Sequence, residues 1–425
     1  MRKHTLWWRR GAWGAAALFA VLIAGPPIAR AQSVEERIQM LEKQLEALKK
    51  ELAAQKEKVE KQEKATAPLA DMKKTVDALS KIEITGGATG IVQSTSGAPR
   101  SLGQDESFAG GSFDLIVTYK PMDNVKLVID MEAIGGNGPD SRFPTFSVLN
   151  RDLGTTNDTV TVLEAYLEAT FFKERLTLTA GKIDLTSYVD KNAYANSETF
   201  DFLTKAFTNN AVLSNPANGP GMRGRFDIMP GLLYAEAGAQ NGDRDGDVLT
   251  TNKFFEDVYG VAEIGITPKI FGRQGNYRLW AFADGAARKS NELGQTRRFT
   301  AYGTGVSFDQ ELADWLGAFF RLGYRDPDNT NFNTQAAWMA GVQLSKIIPG
   351  RKDDVIGIAY GEIHPTKRAV TARPGRDEEV YELYYRWHFA DKFHLSPIIQ
   401  RVEDRQGVTG NDALWVFGTR LQVDF

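Results

Sequence analysis

The chain ends DALWVFGTRLQVDF, Asp412 to Phe425. Ala413, Trp415, Phe417, Thr419, Leu421, Val423 and Phe425 share one parity. Asp412, Gly418, Arg420, Gln422 and Asp424 share the other, with Leu414 and Val416 as exceptions. Successive side chains of a strand point to opposite faces, so an apolar ribbon backs a mostly polar one. On a soluble domain such a ribbon is an edge that invites aggregation unless it packs on a core. A closed barrel in a bilayer needs it: apolar toward lipid, polar toward a wet lumen, and paired with the first strand.

The other end of the chain agrees. Arg2, Lys3, Arg9 and Arg10 precede a short apolar run, Gly11 to Ala24, and Ala29-Arg30-Ala31 follows as a small-x-small cleavage signal. This predicts a secretory signal peptide over 1–31 and a mature start at Gln32. No later window approaches ~20 apolar residues, so no membrane helix is expected and only a barrel could span. The chain has no cysteine, which removes disulfides, thiolate metal sites and cysteine nucleophiles. Without the five basic residues of the signal, 46 basic face 54 acidic residues, a balance of −8. That excludes a basic nucleic-acid face. Among His364, His388 and His394 no Ser-His-Asp constellation is visible, so no enzyme and no cofactor are expected.

Between Val34 and Gln62 the period changes from two to seven. Ile38, Leu45, Leu52 and Val59 fall at a; Val34, Leu41, Leu48, Gln55 and Gln62 fall at d. The g-to-e pairs Arg37–Glu42, Glu51–Lys56 and Lys58–Glu63 are attractive in a parallel arrangement, and Gln44–Lys49 is neutral. A parallel homo-oligomeric coiled coil is expected, a rod about 43 Å long, with Pro68 ending or offsetting the repeat. It precedes the first strand and would project into the periplasm.

From Ile82 onward alternating segments recur. Val125, Leu127, Ile129 and Met131 oppose Lys126, Asp130 and Glu132; Tyr381, Leu383, Tyr385, Trp387 and Phe389 oppose Glu382, Tyr384, Arg386 and His388. Close turns such as Pro121-Met122-Asp123-Asn124 and Phe172-Lys173-Glu174 join neighbours. The expected architecture is an all-β transmembrane antiparallel barrel of about sixteen strands over 82–425, after a coiled coil and linker over 32–81. Two connections, Ile134–Thr159 and Asp184–Pro220, are too long for turns, and the second is expected to hold a short helix around Ser197–Phe207. Long ordered loops are usually functional, and in a pore they can fold inward.

The stretch GKIDLTSYVDKNAYANSET, Gly181 to Thr199, continues through Phe202-Leu203, Ala206-Phe207, Asn209-Asn210 and Pro216-Ala217-Asn218 to Pro220-Gly221. It resembles the signature loop of the carbohydrate-selective porin B family, which includes cyanobacterial porins with periplasmic extensions. The closing strand resembles that family's last strand. The resemblance implies a sixteen-stranded outer-membrane porin, commonly trimeric, that passes sugars and other small solutes.

A porin works by width, wall charge and loop geometry. Tyr188, Asp190, Asn192, Tyr194 and Asn196 are the candidates for a constriction, while Phe202 and Phe207 are expected to pack the loop on the wall. By parity, Asp130, Glu132, Glu164, Tyr166 and Glu168 would line one side of the lumen, and Arg223, Arg225, Arg321, Arg386 and Arg420 the other. Opposed walls would set a transverse field across the passage. Asn241, Asp243, Asp245 and Asp247 space oxygens like the start of a calcium loop. Asn252 stands where the closing Glu belongs, so a solvated loop is the expected reading. The partners expected are outer-membrane lipid, small sugars, copies of the chain and peptidoglycan. The alternatives are an anion-selective porin and a structural tether between outer membrane and cell wall.

Overall fold

The computed structural model describes residues 34–98, 103–153, 158–242, 257–290, 296–369, 376–408 and 413–425. The predicted signal peptide and Asp243, Asp245 and Asp247 lie outside the described residues. A helix and a barrel form separate compact units, divided between Ala78 and Leu79.

The helix, α1, spans Val34–Leu79 and runs unbroken through Pro68. A proline inside a helix costs about 3 kcal/mol, because it removes an N–H and crowds the preceding turn; here the 46-residue helix absorbs it. Pro68 therefore does not end the helix. Leu45, Leu48, Leu52 and Val59 lie more than half exposed along it. Lys61 and Glu57 pair at 2.7 Å one turn apart.

The barrel strands are β1 (Ile82–Ser96), β2 (Ser107–Met122), β3 (Val125–Gly136), β4 (Thr159–Phe171), β5 (Leu176–Ile183), β6 (Gly219–Met229), β7 (Leu233–Asn241) and β8 (Val258–Ile266). There follow β9 (Arg273–Asp284), β10 (Ala301–Ala313), β11 (Leu316–Arg325), β12 (Thr334–Ser345), β13 (Val355–Pro365), β14 (Glu378–Ala390), β15 (Phe393–Glu403) and β16 (Leu414–Asp424). Each pairs antiparallel with its chain neighbours, and β1 closes on β16 from Gly87 opposite Asp424 to Ser96 opposite Trp415. A two-residue strand, Lys269–Ile270, joins the same sheet at the β8–β9 turn. Among the described residues, closure leaves the barrel sheet no open edge, the condition a bilayer imposes on strands.

The connections alternate in length. Those after β2, β4, β6, β10 and β14 are tight, and those at the other end are longer. Ile82 and Phe425 lie at the tight-turn end, where the Phe425 N–H donates to the Gly86 carbonyl at 3.0 Å. Outward positions carry exposed apolar side chains: Ile129, Leu167, Leu279, Leu322, Ile358, Leu383 and Leu421. Tyr119, Phe171, Trp315, Trp387, Phe389 and Phe393 cluster toward the tight turns as an aromatic girdle.

On β16, Trp415, Phe417, Thr419 and Leu421 face outward, while Arg420 and Gln422 are buried inside. Leu414 and Val416, the exceptions to the polar parity, are inside and fully buried. Part of the barrel interior is dry: Ile91, Leu149, Leu153, Phe202, Leu203, Phe207, Phe319, Met339, Tyr384, Ile398 and Val416 belong to one apolar cluster. The loops 137–158 and 184–218 supply its central members.

Candidate functional site

The inner faces of β9 through β16 and β1 are covered by the two loops. Phe202 is fully buried, with ring centroids 5.3 Å from Phe207, 5.6 Å from Phe319 and 5.0 Å from Tyr384. Two glycines on the inner face of β11 admit the loop. A Cβ on Gly317 would lie 2.1 Å from the Tyr194 ring, and one on Gly323 2.4 Å from a Val212 methyl. The loop contains little regular structure: α2 (Lys205–Thr208) and a 3-10 turn, Leu185–Ser187, capped by Asp184. The helix expected around Ser197–Phe207 is thus confined to its last residues, and Ser197–Asp201 is a turn closed by a 2.7 Å bond.

A buried irregular backbone must find partners for its N–H and C=O groups. The barrel wall provides them by sign. Carboxylates accept from loop amides: Glu382 from Leu203 and Thr204 at 2.7 and 2.8 Å, Glu378 from Phe146 and Ser147 at 2.8 and 2.7 Å, and Glu263 from Asp190 at 2.7 Å. Guanidiniums donate to loop carbonyls: Arg420 to Glu198 and to Asp201 at 3.0 Å, and Arg386 to Phe200 at 2.9 Å. Arg321, fully buried, donates to Ala195 at 2.8 Å, to Asp190 at 2.9 Å, to Thr208 at 3.2 Å and to Phe207.

Asp190 is the centre of this latch. Its carboxylate meets the Arg321 guanidinium at 2.9 Å and accepts from the Trp280 indole at 2.9 Å and the Asn210 amide at 2.7 Å. Its backbone is left-handed, φ 59°. Burial pushes its carboxyl above the usual range, and Arg321 opposes that shift.

The inner faces of β2, β3 and β4 stay half open. Register places Asp114 opposite Glu132 and Asp130 opposite Glu164, so four carboxylates lie side by side there. Lys126 pairs with Glu168 at 2.9 Å farther along. Across from them the loops present Arg151, paired with Glu198 at 3.1 Å, and Tyr188, whose ring lies 4.2 Å beneath the Arg223 guanidinium carbon. Arg223 is held by Glu236 at 2.6 Å. Arg225 pairs with Asp227 at 3.1 Å and stacks on Tyr234.

The sequence-derived residues therefore separate into two groups. Asp130, Glu132, Glu164, Tyr166 and Glu168 sit on the inner face of the half-open wall, and Arg223 and Arg225 lie on β6. Arg321, Arg386 and Arg420 are also on inward parity, but the loop lies over them, so they do not form a basic wall opposite the acids. Of the five loop candidates, Asp190 and Asn192 are buried; Asn192 donates to the Phe308 carbonyl at 3.2 Å. Tyr188, Tyr194 and Asn196 keep exposed surface. Phe202 and Phe207 pack the loop on the wall, as expected. Asn241 is buried, and among the described residues no group of three or more His, Asp or Glu side chains could hold a metal ion. Sequence reading missed Arg151 and Lys205, cations in polar loops without periodicity. It also missed Asp114, whose alternation is blurred by Gly110, Gly111 and Ser112.

Comparison with known proteins agrees with this geometry. The chain is 24% identical over 317 residues to an uncharacterized protein of Aquifex aeolicus (strain VF5), covering 74% of this chain and 84% of that one. The Pseudomonas putida OprB structure at high pH superposes with a TM-score of 0.69 at 18% identity, covering 82% of this chain and 96% of that one. Its low-pH form gives 0.53 at 16% identity, with 82% and 95% covered. The two structural likenesses show the fold, a sixteen-stranded barrel. The model of the carbohydrate-selective porin, OprB family matches residues 112–425, and the chain belongs to that family of non-enzymatic outer-membrane porins.

Proposed function

We propose that the chain passes small hydrophilic solutes, sugars foremost, by passive diffusion along a wet passage between the inward loop 184–218 and the inner wall of β2–β4. One observation carries this reading: the inner wall is buried from β9 to β16 but half open on β2, β3 and β4, where Asp114, Asp130, Glu132 and Glu164 gather. Tyr188 and Asn196 offer the hydroxyl, amide and aromatic surfaces that a sugar slides along, while the Tyr194 ring packs against Gly317 on β11. The carboxylates favour cations, which argues against anion selectivity. Purified protein in a planar bilayer should give a steady conductance that glucose or maltodextrin lowers. A sugar-insensitive current would remove sugars from the reading, and absence of current would remove the channel.

The exposed a and d side chains of α1 support a second element, a parallel homo-oligomeric coiled coil. In this reading residues 1–31 are removed on export, 32–81 form a periplasmic stalk that touches peptidoglycan, and 82–425 form the barrel of a homotrimer. Cross-linking a cysteine introduced at Leu48 with a trifunctional maleimide should yield covalent trimers in intact cells; monomers alone would contradict it.

A further inference from the structure

The loops also enclose a cavity of about 300 Å³ among Arg151, Lys205, Arg325, Asn209, Asn331 and Asn333. It opens at the long-loop end of the barrel, between the two inward loops and the β11–β12 connection. Its chemistry differs from that of the acidic wall. Arg151 is partly neutralised by Glu198 at 3.1 Å. Arg325 is fixed by a 2.8 Å bond to the Thr334 carbonyl and by stacking 3.8 Å over Phe332. The Lys205 ammonium makes no hydrogen bond or ion pair among the described residues. Burial first, then Arg151 and more weakly Arg325, hold its pKa down to about 8 against the opposing carboxylates of Asp184 and Glu198, so it stays largely charged at neutral pH. A partly buried cation beside two others is a cost that an entering anion relieves. Three amide side chains and the Phe332 ring add the donors, acceptors and flat apolar surface that a sugar ring requires.

We infer that this cavity is a binding site for sugars bearing an anionic substituent, a phosphate or a carboxylate, with Lys205 as the charge that reads the substituent. The inference rests on the porin reading for its setting, but the site itself is tested by binding. Titration calorimetry on the folded full chain in detergent, at fixed ionic strength near neutral pH, would compare glucose 6-phosphate, gluconate, glucose and inorganic phosphate.

Glucose 6-phosphate is expected to bind roughly tenfold or more tightly than glucose, as one charge-assisted contact allows. Lys205→Met should abolish that difference, so that glucose 6-phosphate binds no more tightly than glucose. Lys205→Arg, which keeps the charge, should retain most of it and guards against a folding defect. Equal binding of glucose and glucose 6-phosphate, or a difference that survives Lys205→Met, overturns the inference. Inorganic phosphate binding as tightly as glucose 6-phosphate overturns the sugar part and leaves a simple anion site. Loss of sugar block in bilayer recordings together with intact calorimetric binding contradicts the porin reading instead.

Discussion

Replacing Arg321 with Met is the sharpest perturbation of the latch. The guanidinium is fully buried between the wall and the loop. It bonds the carbonyls of Ala195, Asp190 and Thr208 at 2.8, 2.9 and 3.2 Å, bonds Phe207 as well, and meets the Asp190 carboxylate at 2.9 Å. Methionine fills similar volume and removes every donor, leaving Asp190 buried with only the Trp280 and Asn210 donors. Removing one partner of a buried pair costs about 3–5 kcal/mol, which is roughly 10²–10⁴ in the docking equilibrium of the loop. The opposing anchor is apolar: Phe202, Leu203 and Phe207 each contribute about 1.5–3 kcal/mol by burial, before the ordering entropy of the loop is deducted. The two effects are comparable, so the loop should leave the wall intermittently rather than permanently. Single-channel recordings of Arg321→Met should show brief excursions to larger conductance and a raised mean, with strand content by circular dichroism unchanged. Asp190→Asn keeps the shape but offers one oxygen where two accepted from Trp280 and Asn210, so it should show the same excursions. If Arg321→Met had the conductance, noise and melting temperature of the parent, the loop would not be held as described.

Other consequences follow from the same contacts. Gly323→Ala places a Cβ 2.4 Å from Val212 and 2.7 Å from Asn210; overpacking of this kind costs about 1–3 kcal/mol, so the melting temperature should fall and current noise rise. Asp130→Asn with Glu132→Gln should move the reversal potential toward anions, most at low salt, where the Debye length exceeds ~10 Å. Asp152, in loop 137–158, accepts from Ser112 at 2.8 Å, and burial pushes its carboxyl up to about 7. Its ionised form is therefore penalised only in the folded state. The penalty is absent below the unfolded value of ~4, grows until pH reaches about 7, and is constant above that. Asp152→Asn should accordingly raise the melting temperature by a few degrees at pH 8 and leave it unchanged at pH 4.

The barrel was legible in the sequence because lipid and a wet lumen impose opposite chemistry on alternate residues. The closing strand, the girdle on β14 and the inward acids of β3 and β4 all follow from parity. Parity fails one layer farther in. It places Arg321, Arg386 and Arg420 on the inner face but cannot say that a loop lies over them, since a lumen charge and a charge that binds loop carbonyls occupy the same positions in the alternation. Leu414 and Val416 were the visible sign of this covering: apolar residues on inward parity need something dry to touch. Asp190 was read as a constriction candidate and not as buried, because its partners Arg321, Trp280 and Asn210 are distant in sequence. Arg151 and Lys205 left no periodic trace at all.

In the proposed reading an aperture remains between the loop and the β2–β4 wall, and polar solutes use it. A cysteine introduced at Glu132 and treated with a charged methanethiosulfonate reagent during single-channel recording tests it most directly. The reagent should react within the open channel and cut the conductance sharply, and glucose should slow the reaction. Full conductance after complete labelling of that cysteine would contradict the account.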